Sequence, residues 1–226
     1  MKMRIVCLSV LLAFAPLSAI SGTVAIDPAL ILPPPPADGS PAQKAELAEV
    51  EQAVAARTPE MLAQAKADDA LENPMIYKQV LGDGFDFGKL PATAKLFDDV
   101  MNAQRTAAND AKKFFSRNRP WVADPSLATC APRGGDRTSY PSGHATMGFA
   151  TGVMLAALVP EKAQAILARA SGYAENRIVC GMHYRRDIVA GQVIGTTVAV
   201  ALLRDPAFKP EFDAAEQELK AAHLAQ

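Results

Sequence analysis

Two stretches, residues 144–159 and 188–203, are apolar on almost every side of a helical wheel. A helix of that kind has no face to give to water and must be buried, in a protein core or in a bilayer. Each runs about 16 residues and contains glycine and threonine, short of the roughly 20 residues that a bilayer demands. They are therefore expected to be the central helices of a soluble bundle, around which the rest of the chain is arranged.

The flanking sequence reads as further helices cut by prolines. Leu47, Val50 and Val54 share one face of a helix entered at Pro41, and Pro59 restarts a second through about Leu71. Residues 72–92 carry Pro74, Gly82, Gly84, Gly88 and Pro91 and read as broken turns. From Thr93 to about Ser116, Leu96, Phe97, Val100, Ala107, Ala111 and Phe114 recur at helical spacing, with Pro120 as the expected stop. A loop follows over 121–143. Glu161 to about Glu175 is a further helix with Ala163, Ile166, Leu167 and Ala170 on one face. Upstream, Pro33 to Pro36 cannot continue a helix and predict an extended strap within residues 26–40. No run has the alternation of a strand, and no internal repeat stands out. Alanine, the best helix former, is abundant. The fold class expected is all-α, a single helical bundle.

The first 25 residues stand apart. Lys2 and Arg4 precede an apolar run from Ile5 to Leu17, then the small-residue triplets Ala19-Ile20-Ser21 and Thr23-Val24-Ala25. That is the pattern of a cleaved secretory signal peptide, expected over residues 1–25, with the catalytic domain over 26–226. Losing Lys2 and Arg4 leaves 21 basic against 24 acidic residues, net −3, which argues against a nucleic-acid partner. Cys7 would leave with the leader. Cys130 and Cys180 remain, a candidate disulfide in an oxidising compartment or two buried thiols.

Three clusters break the apolar background. Lys112 and Arg119-Pro120 lie seven apart, a spacing that on one helix directs both cations to the same side about 10 Å apart. Ser139-Tyr140-Pro141-Ser142-Gly143-His144 stands at the start of an apolar helix, where unpaired N–H groups attract anions. There Ser142 can cap the helix or bond an anion, and Gly143 lets the backbone approach a ligand. Arg177, His183 and Asp187 follow, with the last two spaced so that a carboxylate can hold one imidazole nitrogen and sharpen the other as base or nucleophile. Two of the three histidines in the chain fall in these clusters. The need they share is a tetrahedral oxyanion held by cations and helix-terminal N–H groups between two imidazoles.

In this order, Lys-x6-Arg-Pro, Pro-Ser-Gly-His and Arg-x5-His-x3-Asp resemble the signature of the type-2 phosphatidic-acid phosphatase superfamily, which includes the vanadium haloperoxidases. The wording around them, Gly135 to His144 and Arg177 to Tyr184, is similar to the secreted class A bacterial non-specific acid phosphatases. The resemblance implies a metal-independent phosphatase without cofactor, periplasmic or secreted, with its active site at helix ends. It implies His183 as a nucleophile that becomes phosphohistidine, Asp187 as the group that orients it, and His144 as the acid that protonates the leaving alcohol. Lys112, Arg119, Ser142, Gly143 and Arg177 would hold the phosphate. Asn176 departs from the pattern, which has serine before the third-motif arginine. The implied partners are a small phosphomonoester and inorganic phosphate. No nucleic acid and no stable membrane insertion are expected, and a homo-oligomer is left open. The competing readings are a membrane lipid or isoprenoid pyrophosphate phosphatase, a haloperoxidase using the pocket for vanadate, and a phosphate-binding module without turnover.

Overall fold

The computed structural model describes residues 26–226; the expected leader, with Cys7, lies outside them. Ten α-helices make up the architecture: α1 Pro28–Ile31, α2 Pro41–Ala56, α3 Pro59–Ala70, α4 Lys78–Leu81, α5 Pro91–Phe115, α6 Pro120–Ala123, α7 Gly143–Leu158, α8 Ala163–Val179, α9 Arg185–Arg204 and α10 Lys209–Ala221. Among the described residues there is no strand. Proline stands at the first turn of α2, α3, α5 and α6, where its missing N–H costs nothing and its fixed φ suits the helix. Ser40 and Thr58 cap α2 and α3 by accepting from the N–H of Gln43 and Met61, both at 3.2 Å.

The centre is α7, packed against α9, α8 and α5. Its approach to α9 is nearly backbone to backbone. A Cβ at Gly191 would lie 2.7 Å from both Ala145 Cβ and the Ser142 carbonyl, and one at Gly195 2.8 Å from the Ala150 nitrogen. Only glycine at these positions lets the two helices seat so closely. The contact matters because both helices begin at the same end: Ser142 N–H donates to the Asp187 carbonyl at 2.9 Å, tying the start of α7 to the first turn of α9.

Four expectations need correction. Pro120 does not end α5. The helix stops at Phe115, where Ser116 adopts a left-handed φ of 48°, and Pro120 instead opens α6. Phe114 and Leu167, placed on buried stripes by periodicity, are 61% and 37% exposed. The strap over 26–40 contains one helical turn, α1, before the extended prolines, and Tyr140 donates to the Pro33 carbonyl at 2.8 Å. Finally, α9 has 20 residues rather than 16, because Asp187 accepts from the Tyr184 N–H at 2.9 Å and draws Arg185 and Arg186 into its first turn. Its mean hydropathy of 1.4 makes it long and apolar enough to cross a membrane by those measures, yet half of that stretch is buried inside the bundle. Nor is it covered on all sides, since Val189, Val193 and Leu203 face outward.

Cys130 and Cys180 form a disulfide, with Cα atoms 4.8 Å apart. The Cys130 N–H also donates to the Cys180 carbonyl at 2.9 Å, so the loop after α6 is fastened to the end of α8.

Candidate active site

The ends of α5, α7, α8 and α9 meet at one place, and the three clusters meet with them. His183 sits just before α9, 2% exposed, and Asp187 in its first turn is fully buried. The imidazole Nδ1 lies 3.3 Å from Asp187 Oδ2, while Nε2 lies 2.7 Å from Arg119 Nη1. Arg119 can only donate. Nε2 therefore presents its lone pair, and the ring proton belongs on Nδ1, facing the carboxylate. Burial first, and then Arg119, Lys112 and Arg177, hold His183 well below the usual histidine range, so the ring is neutral.

Asp187 is gripped from several sides. Arg117 Nη1 donates to it at 2.6 Å, Ser139 Oγ at 2.5 Å, and the Tyr184 N–H at 2.9 Å. Arg117 bridges onward to Glu46 at 2.7 Å and lies over the Tyr184 ring, 4.1 Å from its centroid. Burial raises the Asp187 carboxyl above its ordinary value against the pull of Arg117 and these donors. The carboxylate has almost no rotational freedom left, and neither does the imidazole it holds.

The cations arrive by a different geometry from the one their spacing predicts. Arg119 is not helical; its backbone is extended, and its N–H donates to the Asp136 carbonyl at 2.7 Å. Its guanidinium reaches back to the Met182 carbonyl at 2.8 Å and to Thr138 Oγ1 at 3.3 Å. Lys112 Nζ donates to the carbonyls of Thr138 and Pro141, each at 2.6 Å. Burial and the neighbouring Arg119 bring Lys112 down to about 7, and burial brings Arg119 down to about 10. Arg177 Nη1 pairs with Asp69 at 2.6 Å. The Nε atoms of Arg119 and Arg177 are buried without a protein partner. Crowded cations with unused N–H groups constitute a site for an anion.

His144, in the first turn of α7, stacks on Tyr173 with centroids 5.6 Å apart. Its Nε2 lies 3.4 Å from the Asp69 carbonyl and its Nδ1 3.7 Å from Glu72 Oε1. Burial first, then Arg177, brings it down to about 3. Ser142 caps α7 by accepting from the Ala145 N–H at 3.3 Å. Its own N–H is committed to Asp187, so what it can offer an anion is the hydroxyl. Gly143 opens the helix and supplies a backbone N–H with no intrahelical partner.

All eight residues singled out by motif are thus brought to one place. Sequence reasoning missed Arg117, Glu46, Asp69 and Glu72, and it gave Ser139 no role although it opens the second cluster. One signal was available: Asp68-Asp69 falls in the last turn of α3, where the helix dipole disfavours carboxylates. Such a pair calls for cations, and α8 provides them. Arg169 holds Asp68 at 2.6 and 3.1 Å, Asn176 donates to it at 2.7 Å, and Arg177 takes Asp69. Asn176 therefore helps to fasten α3 to the site.

Fold and site together define a helical bundle that gathers basic side chains and two imidazoles at its helix ends. The sequence profile of the PAP2 superfamily matches residues 100–210, and the chain belongs to that superfamily. It is 32% identical over 205 residues to an acid phosphatase of Zymomonas mobilis subsp. mobilis, covering 88% of this chain and 78% of that protein. It is 29% identical over 196 residues to a non-specific acid phosphatase of Salmonella typhimurium, covering 83% and 78%. Among solved structures, Aquifex aeolicus LpxE superposes with a TM-score of 0.56 at 19% identity, over 70% of this chain and 94% of that one. A transmembrane PAP2-type phosphatidylglycerolphosphate phosphatase from Bacillus subtilis gives 0.53 at 20% identity, over 72% and 85%. At those identities the two structures share the fold.

Proposed function

We propose that the protein is an exported acid phosphatase that hydrolyses phosphomonoesters through a phosphohistidine on His183, with residues 1–25 as signal peptide and 26–226 as catalytic domain. The observation that carries this is the orientation of His183: Nδ1 toward a buried carboxylate at 3.3 Å, and Nε2 with its lone pair among cations. An anion-binding module has no use for an imidazole so held.

In the first step Nε2 attacks phosphorus as the bond to the ester oxygen breaks, and His144 gives its proton to the departing alkoxide. In the second, water attacks the phosphohistidine, His144 takes the proton, and the P–N bond breaks to release inorganic phosphate. Phosphoryl transfer asks chiefly for positioning and for charge on the equatorial oxygens. Lys112, Arg119 and Arg177 supply the charge, and the Ser142 hydroxyl and Gly143 N–H supply oriented donors. With that charge built in, turnover is expected without an added metal. Relatives named acid phosphatase at about this level of identity support the activity.

The length of α9 favours the membrane alternative, but its inner face is spent on the Gly191–Ala145 contact that builds the site. The test is hydrolysis of a panel of phosphomonoesters by purified protein, with and without chelator. Turnover in chelator is the expected result. Loss on chelation that is restored by a divalent ion would overturn the role given to the three cations.

A further inference from the structure

Arg119 and Arg177, like Arg117, each carry a buried Nε–H without a protein partner; on the phosphatase reading, those of Arg119 and Arg177 are free to hold phosphoryl oxygens. In-line attack from His183 then sends the leaving oxygen to the opposite side, toward His144. What stands on that side is Glu72, in the connection after α3. Its carboxylate is 3.7 Å from His144 Nδ1, and a Cβ on Gly143 would lie 3.5 Å from it and 3.9 Å from Lys112 Cε. It hangs over the mouth of the anion site. Burial raises it above the usual glutamate range, with Arg177 and Arg105 opposing.

Glu72 is also one wall of a groove of about 720 Å³ that follows α5 away from the site. Met75, Phe87 and Met101 give it an apolar lining, and its charged residues are Glu72, Asp86, Asp98 and Arg105. Three carboxylates thus face one guanidinium, beside a site where Lys112, Arg119 and Arg177 converge. Among the described residues, the ion-pair partner of Asp86 is the distant Lys89, at 4.0 Å. A substrate lying across both regions meets opposite potentials at its two ends.

Resting on the phosphatase reading above, we propose that this groove is the leaving-group subsite, and that Glu72 selects phosphomonoesters whose leaving alcohol carries an amine, the aminoalkyl phosphates. The ammonium of 2-aminoethyl phosphate falls within reach of Glu72. A longer amino alcohol lays its chain along Met75, Phe87 and Met101. From Lys112, α5 runs back about 10 Å to Arg105 and about 21 Å to Asp98, so the subsite has room for chains of several carbons. A carboxylate on the leaving alcohol is repelled by the same residues.

The experiment compares kcat/KM for 2-aminoethyl, ethyl and 2-carboxyethyl phosphate in the wild type and in Glu72→Gln. A unit charge about 5 Å from Glu72 is worth about fourfold at the dielectric of bulk water and more at the lower dielectric near a protein surface, so at least about fourfold is expected here. The expected order is amino, then ethyl, then carboxy, separated by steps of that size. In Glu72→Gln the three converge, whatever happens to the absolute rate, because each variant is compared only with itself. Should that variant lack measurable turnover, binding of 2-aminoethylphosphonate and ethylphosphonate to the wild type and to Glu72→Gln by calorimetry takes its place, and the amine preference of the wild type should vanish in the variant. Equal kcat/KM for the three esters in the wild type, or an unchanged preference in the variant, overturns the subsite while leaving the phosphatase. Hydrolysis of none of the esters by the wild type removes the phosphatase reading and the subsite with it.

Discussion

Lys112 should set the alkaline limit of the enzyme. In the empty site its ammonium is brought down to about 7 by burial and by Arg119, whereas His144 lies near 3. Below about pH 6 a phosphomonoester carries one proton on its phosphate; that proton passes to His144, which enters neutral, and His144 then gives it to the leaving group. Above it the substrate is a dianion and the proton is lost, so log kcat/KM falls with slope −1. Above 7 Lys112 also loses its charge and the slope becomes −2. By about pH 9 the Lys112 contribution alone is about 100-fold, tenfold for each pH unit. The perturbation is Lys112→Arg, which keeps its charge throughout. A guanidinium is bulkier than the ammonium that donates to the Thr138 and Pro141 carbonyls and holds its donors in a fixed plane, so the absolute rate drops, and each profile is normalised to its own maximum. The assay is kcat/KM for p-nitrophenyl phosphate across the pH range. The variant should keep slope −1 and stand about 100-fold above the wild type, on normalised curves, near pH 9. Superimposable normalised profiles would refute the assignment of the alkaline limb to Lys112.

Four further outcomes follow from the packing and the charges. Gly191→Val places a side chain 2.7 Å from the Ser142 carbonyl and should wedge α7 from α9, costing about 1–3 kcal/mol in denaturant unfolding, with activity falling further than stability. Arg117→Met strands Asp187 and Glu46 in the interior and should cost about 3–5 kcal/mol, read as a lowered melting temperature; a variant as stable as the wild type would mean that the network is not holding the carboxylate. Reducing the Cys130–Cys180 bond frees a 50-residue loop, a loss of about 4 kcal/mol in the chain-entropy account, and should lower melting temperature and activity together. Because a bound dianion offsets the cations that depress His144, inhibition by inorganic phosphate should strengthen as pH falls through the range where that proton is taken up. Inhibition that weakens toward acid would contradict it.

The all-α class was legible in the helical spacing and proline breaks, and the gathering of eight site residues in three short motifs whose order resembles a known family. The order of the motifs carries the information, and helix ends converge in a bundle. What local pattern could not convey was contact at long range. Arg117 looks like an ordinary base between Ser116 and Asn118, and nothing nearby reveals that it reaches Asp187 and Glu46, 70 and 71 residues away. Glu72 in a polar turn gives no hint that His144 lies beside it. Periodicity also misled where a turn residue overruled it: Ser116 in the left-handed region ends α5 early, so Arg119 comes to the site from extended backbone rather than along the helix. The extent of α9 was misjudged for a related reason, since a charged triplet becomes helical once Asp187 closes the cap.

The central claim is that His183 Nε2 carries the phosphoryl group between two steps. The most direct measurement is rapid quench of the enzyme with labelled phosphomonoester under non-acidic conditions, followed by peptide mapping. Label on the peptide containing His183, and its disappearance together with turnover in His183→Ala, is the predicted result. Turnover retained in His183→Ala, or label on a different residue, would contradict the account.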